Sequence, residues 1–178
     1  MMWETILIWM VPSAITIHNV EEALWLPAWS KSAARRWHPP VSVFAFRFAV
    51  VILTAVAITV AIFAQLGGHG TLGFYLLAAY AIGQSLNIFV PHLAAVIATR
   101  TYAPGLATGL FLVLPASGAF LMNALSSPNF DLRRLLVVSV VFIPVMVLSI
   151  PGLLGAGEMI EKRRKAEAAN KPDAGDGI

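Results

Sequence analysis

The chain has 178 residues, of which 58% are hydrophobic and only 12% charged, with a mean hydropathy of +0.79 and no cysteine. Soluble domains carry about 25% charged residues, so a water-soluble globule is excluded, and with no cysteine so are disulfides and thiolate metal sites. The net charge of +3 and pI near 9.6 do not mark a nucleic-acid partner, because the basic residues sit in short loops between apolar runs, as in membrane proteins.

Met1-Met2-Trp3-Glu4 lacks the basic start of a signal peptide. Five segments are long and apolar enough to cross about 30 Å of hydrocarbon. The first runs from about Trp3 to Leu26, with Pro12 in its middle and Trp25 and Trp29 as interfacial anchors. A basic loop with Lys31, Arg35, Arg36 and His38 leads to the second, Val43 to Leu66, which carries Arg47 in its first turns. The third, about Thr71 to Thr99, is the longest and contains Pro91. Proline has no N–H, so the carbonyl of Asn87 is expected to lose its helical partner beside a kink. The fourth spans about Leu106 to Leu125 and the fifth about Leu132 to Leu154. His38 and His69 are loop residues with no assigned role.

The predicted fold is all-α, a polytopic bundle of five transmembrane helices in one domain over residues 1–157, followed by a charged tail over 158–178. In that tail Glu158/Lys162 and Glu161/Lys165 are i, i+4 pairs that can carry the last helix a turn or two into water. From Asn170 onward the Pro, Asp and Gly content reads as disorder. Lysines and arginines concentrate in alternate loops, which puts the N-terminus outside and the C-terminus in the cytoplasm of a plasma or inner membrane.

The centre of the sequence is His18-Asn19-Val20-Glu21-Glu22, near the end of the first apolar run. A histidine followed by glutamates at i+3 and i+4 places all three side chains on one side of a helix. Each charge in that position costs roughly 2.5–3.5 kcal/mol on insertion scales, so the other helices must supply a polar interior. With the topology above, His18, Glu21, Glu22, Asn87 and His92 fall in one layer toward the cytoplasmic side, and Arg47 enters from that side. A His92 ring nitrogen is expected within about 6 Å of a glutamate carboxylate, with Arg47 as the nearest cation.

His18, Glu21 and Glu22, then His92, then Tyr102, Pro104 and Gly105 follow the pattern His-x-x-Glu-Glu, a second histidine, and Tyr-x-Pro-Gly. In these residues the chain resembles the HXXEE-motif family of integral membrane proteins, from the first span to the start of the fourth. The resemblance implies that these positions matter and names no activity for them.

Two chemistries suit the cluster. His18, Glu22 or Glu21, and His92 can hold one divalent metal, zinc or iron, with Glu22 the first choice, because two histidines and a carboxylate form a three-ligand set with an open position. Glu21 is then the spare carboxylate and general base. Alternatively no metal binds, and a buried glutamate kept protonated by its neighbour donates to an apolar substrate while His92 accepts. Small five-span sterol isomerases of the emopamil-binding type offer an architectural analogy only. Asn87, Arg47 and Tyr102 are candidate substrate-binding residues, Tyr102 also reading as an interfacial anchor. The expected function is an enzyme acting on a lipid or isoprenoid-like molecule, and the alternative is a metal-binding or proton/ion-conducting protein without catalysis. The bilayer is the expected partner, and oligomerisation is open. If the glutamates serve chemistry, Glu21→Gln and Glu22→Gln should both spare folding.

Overall fold

The structure is a computed structural model and describes residues 2–32 and 40–170. Arg35, Arg36 and His38 of the basic loop, and the tail beyond residue 170, lie outside the described residues. Within them are five helices and no strand: α1 (Met2–Trp29), α2 (Val43–Gly67), α3 (Leu72–Thr99), α4 (Leu106–Leu125) and α5 (Leu132–Ala169). Two start at side-chain caps that satisfy otherwise orphaned N–H groups. Ser42 Oγ accepts from Ala45 N–H at 2.9 Å, and Asp131 Oδ1 accepts from Arg133 N–H at 2.8 Å.

Four helices, α2 to α5, are long and apolar enough to cross a membrane. The first is 28 residues long but is not among them, since Glu4, His18, Asn19, Glu21 and Glu22 lower its hydropathy. Its polarity points inward. His18, Asn19 and Glu21 are buried while Ile17, Val20 and Leu24 are exposed, the reverse of a helix on a soluble protein.

Helix α3 is α-helical to Asn87, opens into a wider π turn over Ile88–Leu93 and resumes as Ala94–Thr99. Val90 leaves helical geometry (φ −134°, ψ 112°). The expected break at Pro91 is therefore present, and it directs His92 inward, leaving that residue 3% exposed. A similar wide turn, Gly109–Val113, interrupts α4. Such turns often occur at functional sites.

Helix α2 packs against α1, α3 and α5, while α4 closes the other side of α1 and α3. One apolar core joins Ile8, Val11 and Ile15 of α1 to Phe74 and Leu77 of α3 and Phe120 of α4. Outward residues of α5 such as Leu136, Val140 and Leu148 are exposed, as a lipid-facing surface requires. The last helix runs unbroken to Ala169, further than the two charge pairs suggested. Only one of those pairs is closed among the described residues, Lys165 Nζ to Glu161 Oε1 at 2.7 Å.

Candidate metal centre

His18 and Glu22 stand one turn apart on α1, and the wide turn of α3 brings His92 to them. His92 Nε2 lies 2.9 Å from Glu22 Oε1, well inside the expected 6 Å. His18 Nε2 is 3.8 Å from the same oxygen, and the two imidazoles meet edge to face at 5.3 Å. One ligand atom from each of the three residues falls within 4.8 Å of the others. Asn87 enters through its side chain: its Nδ2 is 3.2 Å from His92 Nε2.

Hydrogen positions follow from what each group can donate. The Thr108 hydroxyl has one proton, and its 2.5 Å contact to Glu21 Oε2 outweighs a 3.4 Å contact to the Gly105 carbonyl. Toward His18 Nδ1, at 3.2 Å, Thr108 Oγ1 can then only accept. So Nδ1 carries the ring proton and Nε2 carries a lone pair. That Nε2 is buried with no hydrogen-bond partner. His92 Nε2 is partnered in either tautomer, donating to Glu22 Oε1 at 2.9 Å or accepting from Asn87 Nδ2 at 3.2 Å, so His18 Nε2 is the ring nitrogen left with a free lone pair. Two imidazoles and a carboxylate with ligand atoms within 4.8 Å of one another are a set that could hold a cation, with His92 then giving up its proton to the incoming metal.

Glu21, adjacent in sequence, turns the other way. Its Oε1 accepts from Gly105 N–H at 2.9 Å and from the Tyr102 hydroxyl. Its Oε2 accepts from Thr108 N–H at 3.2 Å as well as from the Thr108 hydroxyl. Both oxygens are occupied, so this carboxylate ties the turn before α4 to α1 and has little capacity left for a general base. Tyr102 is thus a partner of Glu21, still half-exposed as an interfacial residue would be. Burial, and then the bond to Glu21, push its phenol above the usual tyrosine range. Gly105 has φ +94°, and a Cβ there would lie 2.7 Å from His92 Cε1 and 2.9 Å from His18 Cε1. Conformation and space both require glycine.

Residues 9–120 match the family described as protein of unknown function with HXXEE motif. The chain belongs to the HXXEE family. It is 30% identical over 148 residues to the uncharacterized protein YrkK of Bacillus subtilis (strain 168), covering 83% of this chain and 92% of that protein. No solved structure matches. In this HXXEE chain the family's motif divides in two: its histidine and second glutamate face His92, and its first glutamate holds the Tyr-x-Pro-Gly turn.

Arg47 is not drawn into the cluster. It is exposed, its Nε donates to the Ala23 carbonyl at 3.2 Å, and it forms no ion pair among the described residues. A cavity of about 180 Å³ adjoins the triad between α1, α2, α3 and α5, and Glu22, Asn87 and His92 line one end. Two participants escaped the sequence reading. Thr108 gives no signal in an apolar span, and Gln84, which lines the cavity, resembles any polar residue between helices. His69, given no role, pairs with Glu4 at 2.8 Å.

Proposed function

We propose that His18, Glu22 and His92 bind one divalent metal, zinc or iron, and that the HXXEE protein is an enzyme acting on a lipid-like molecule in the adjoining cavity. The observation that carries this is the buried, unpartnered His18 Nε2 facing two further ligand atoms within 4.8 Å. Tetrahedral zinc with ligands at about 2.0–2.1 Å needs neighbouring donors about 3.3 Å apart, and the 2.9 and 3.8 Å separations here bracket that value. Thr108 accepts the proton of the opposite His18 nitrogen, which holds the ring with Nε2 toward the metal position.

A bound divalent ion would supply a Lewis acid or an activated water. The chain's own contribution is orientation and exclusion of bulk water: His18 and His92 are almost fully buried. Glu22 is the carboxylate that would meet the metal, because the oxygens of Glu21 are committed to the turn.

We read α1 as a fifth crossing, since 28 residues give about 42 Å of helix at 1.5 Å per residue and its polar groups face the bundle. The N-terminus is then outside, the C-terminus cytoplasmic and the site in the cytoplasmic half of the plasma or inner membrane. The alternative of a proton- or ion-conducting protein has less support. Leu7, Ile8, Val11 and Ile15, each at most 2% exposed, fill the interior between the triad and the Glu4–His69 pair.

The test is elemental analysis of the protein purified in mild detergent. One equivalent of zinc or iron is expected, lost in His18→Ala and His92→Ala. A folded protein without metal, or variants that keep it, would remove the proposal.

A further inference from the structure

The cavity beside the triad carries information about what enters it. Its walls are apolar, with Val50 and Leu53 of α2 facing Phe142, Ile143 and Met146 of α5. Val147 and Ile150 also line it and are exposed on the outer surface, so its mouth is on the lipid side of α5. A molecule arriving from the hydrocarbon could enter there without crossing water.

The polar end is short of positive charge. Among the described residues no lysine or arginine lines the cavity, and its one charged side chain besides histidine is Glu22. Arg47, the basic residue nearest in sequence to this part of α2, is exposed, and its Nε donates to the Ala23 carbonyl. Of the other polar groups, the Tyr80 hydroxyl already donates to the Leu53 carbonyl at 3.0 Å. The Asn19 amide donates to Thr54 at 2.8 Å. Gln84 is different: it is half-buried and has no hydrogen-bond partner among the described residues. An amide offers one acceptor and two donors.

Phosphate heads are recognised above all by Arg forks and lysines, and among the described residues neither lines the cavity. We infer that the side chains of this cavity favour a single-chain lipid-like molecule with an uncharged oxygen head, an alcohol or carbonyl, hydrogen-bonded by Gln84 and facing Glu22, over a phosphate-headed chain, so that any affinity for phosphate would come from a bound metal. The inference rests on the reading of the triad as the working end of the cavity. It deepens that reading, since the side chains alone, without a metal's charge, favour fatty alcohols, aldehydes and prenols over isoprenoid phosphates and phospholipids.

Two photoreactive probes decide it: hexadecanol and hexadecyl phosphate, each with a diazirine in the chain. Each is offered to the chelator-treated protein in phosphatidylcholine vesicles, and labelled residues are mapped by mass spectrometry. Chelation keeps the result apart from metal content, so a metal-free protein that still takes the alcohol would fail the metal proposal alone. The alcohol is expected to label α2 near Leu53 or α5 near Phe142 at least about tenfold more than the phosphate, because an unpaired like charge is costly. In Gly83→Leu, whose Cβ would start 3.4 Å from Ile143, this labelling should fall to background. Equal or stronger labelling by the phosphate, alcohol labelling only outside the cavity, or unchanged labelling in a folded Gly83→Leu would overturn the inference. If that variant does not fold, the two probes on the wild type still decide.

Discussion

Glu21 and Glu22 are neighbours on one helix with opposite surroundings. Glu21 faces the turn before α4 and accepts four hydrogen bonds from Tyr102, Gly105 and Thr108. Glu22 faces a cavity and two imidazole nitrogens, with one near contact at 2.9 Å. The difference comes from the helix itself, which turns successive side chains by about 100°. One glutamate fixes the position of the parts and the other is left free to react or to bind. Thr108 joins the two regions, since its single hydroxyl donates to Glu21 and accepts from His18.

The comparison breaks most visibly through Glu21. Glu21→Ala leaves the Gly105 and Thr108 N–H groups without their acceptor, and should lower stability by about 3 kcal/mol, measured by thermal unfolding in detergent. Glu21→Gln should also destabilise, because its NH₂ would face donors. This revises the expectation, natural from the sequence, that both Glu→Gln exchanges spare the fold. Unfolding of Glu21→Gln like wild type would show that its four contacts carry no weight.

Glu22→Gln should do the reverse. Its surroundings are open, so unfolding without metal stays close to wild type, while affinity for zinc, measured by competition with a chelator, falls at least about a hundredfold. A smaller effect is expected at the link. Thr108→Val removes the acceptor that holds the His18 tautomer and should weaken zinc binding about tenfold, with Thr108→Ser restoring it. A valine variant that binds zinc normally would cut Thr108 out of the account.

The smallest effect concerns Tyr102. Tyr102→Phe should lose about 1 kcal/mol at neutral pH. The folded state raises this phenol's pKa, so its contribution is complete below the unfolded value of about 10 and fades as pH rises through the folded one. The stability gap between wild type and Tyr102→Phe should therefore be constant at neutral pH and shrink in strong alkali. A gap that grows with alkali contradicts the donor role.

The sequence disclosed a good deal of this arrangement. Charged groups in apolar runs must be hidden, and that argument points to His18, the Glu21–Glu22 pair and His92 from the sequence, with Pro91 marking the break that turns His92 inward. It could not separate Glu21 from Glu22. Which loop meets which face of α1 depends on tertiary packing, and the i+3 and i+4 positions look equivalent in a motif. Thr108 was invisible because hydroxyls within membrane helices usually bond their own backbone, as Thr54 does with the Val50 carbonyl. Arg47 was expected among the acids from charge alone, but a nearer carbonyl, that of Ala23, takes its guanidinium. The length of α5 was underestimated because only the charge pairs after Glu158 were weighed and not the good helix formers Ala166, Glu167, Ala168 and Ala169 that follow.

The central claim is that Glu22, and not Glu21, belongs to a metal centre. The most direct measurement is X-ray absorption at the metal edge on the zinc-loaded protein, comparing wild type with Glu22→Gln and Glu21→Gln. Wild type and any folded Glu21→Gln should show two imidazoles and oxygen at about 2.0–2.2 Å, while Glu22→Gln holds no ordered zinc. An unchanged spectrum in Glu22→Gln, or loss of the imidazole signal in a folded Glu21→Gln alone, would contradict it.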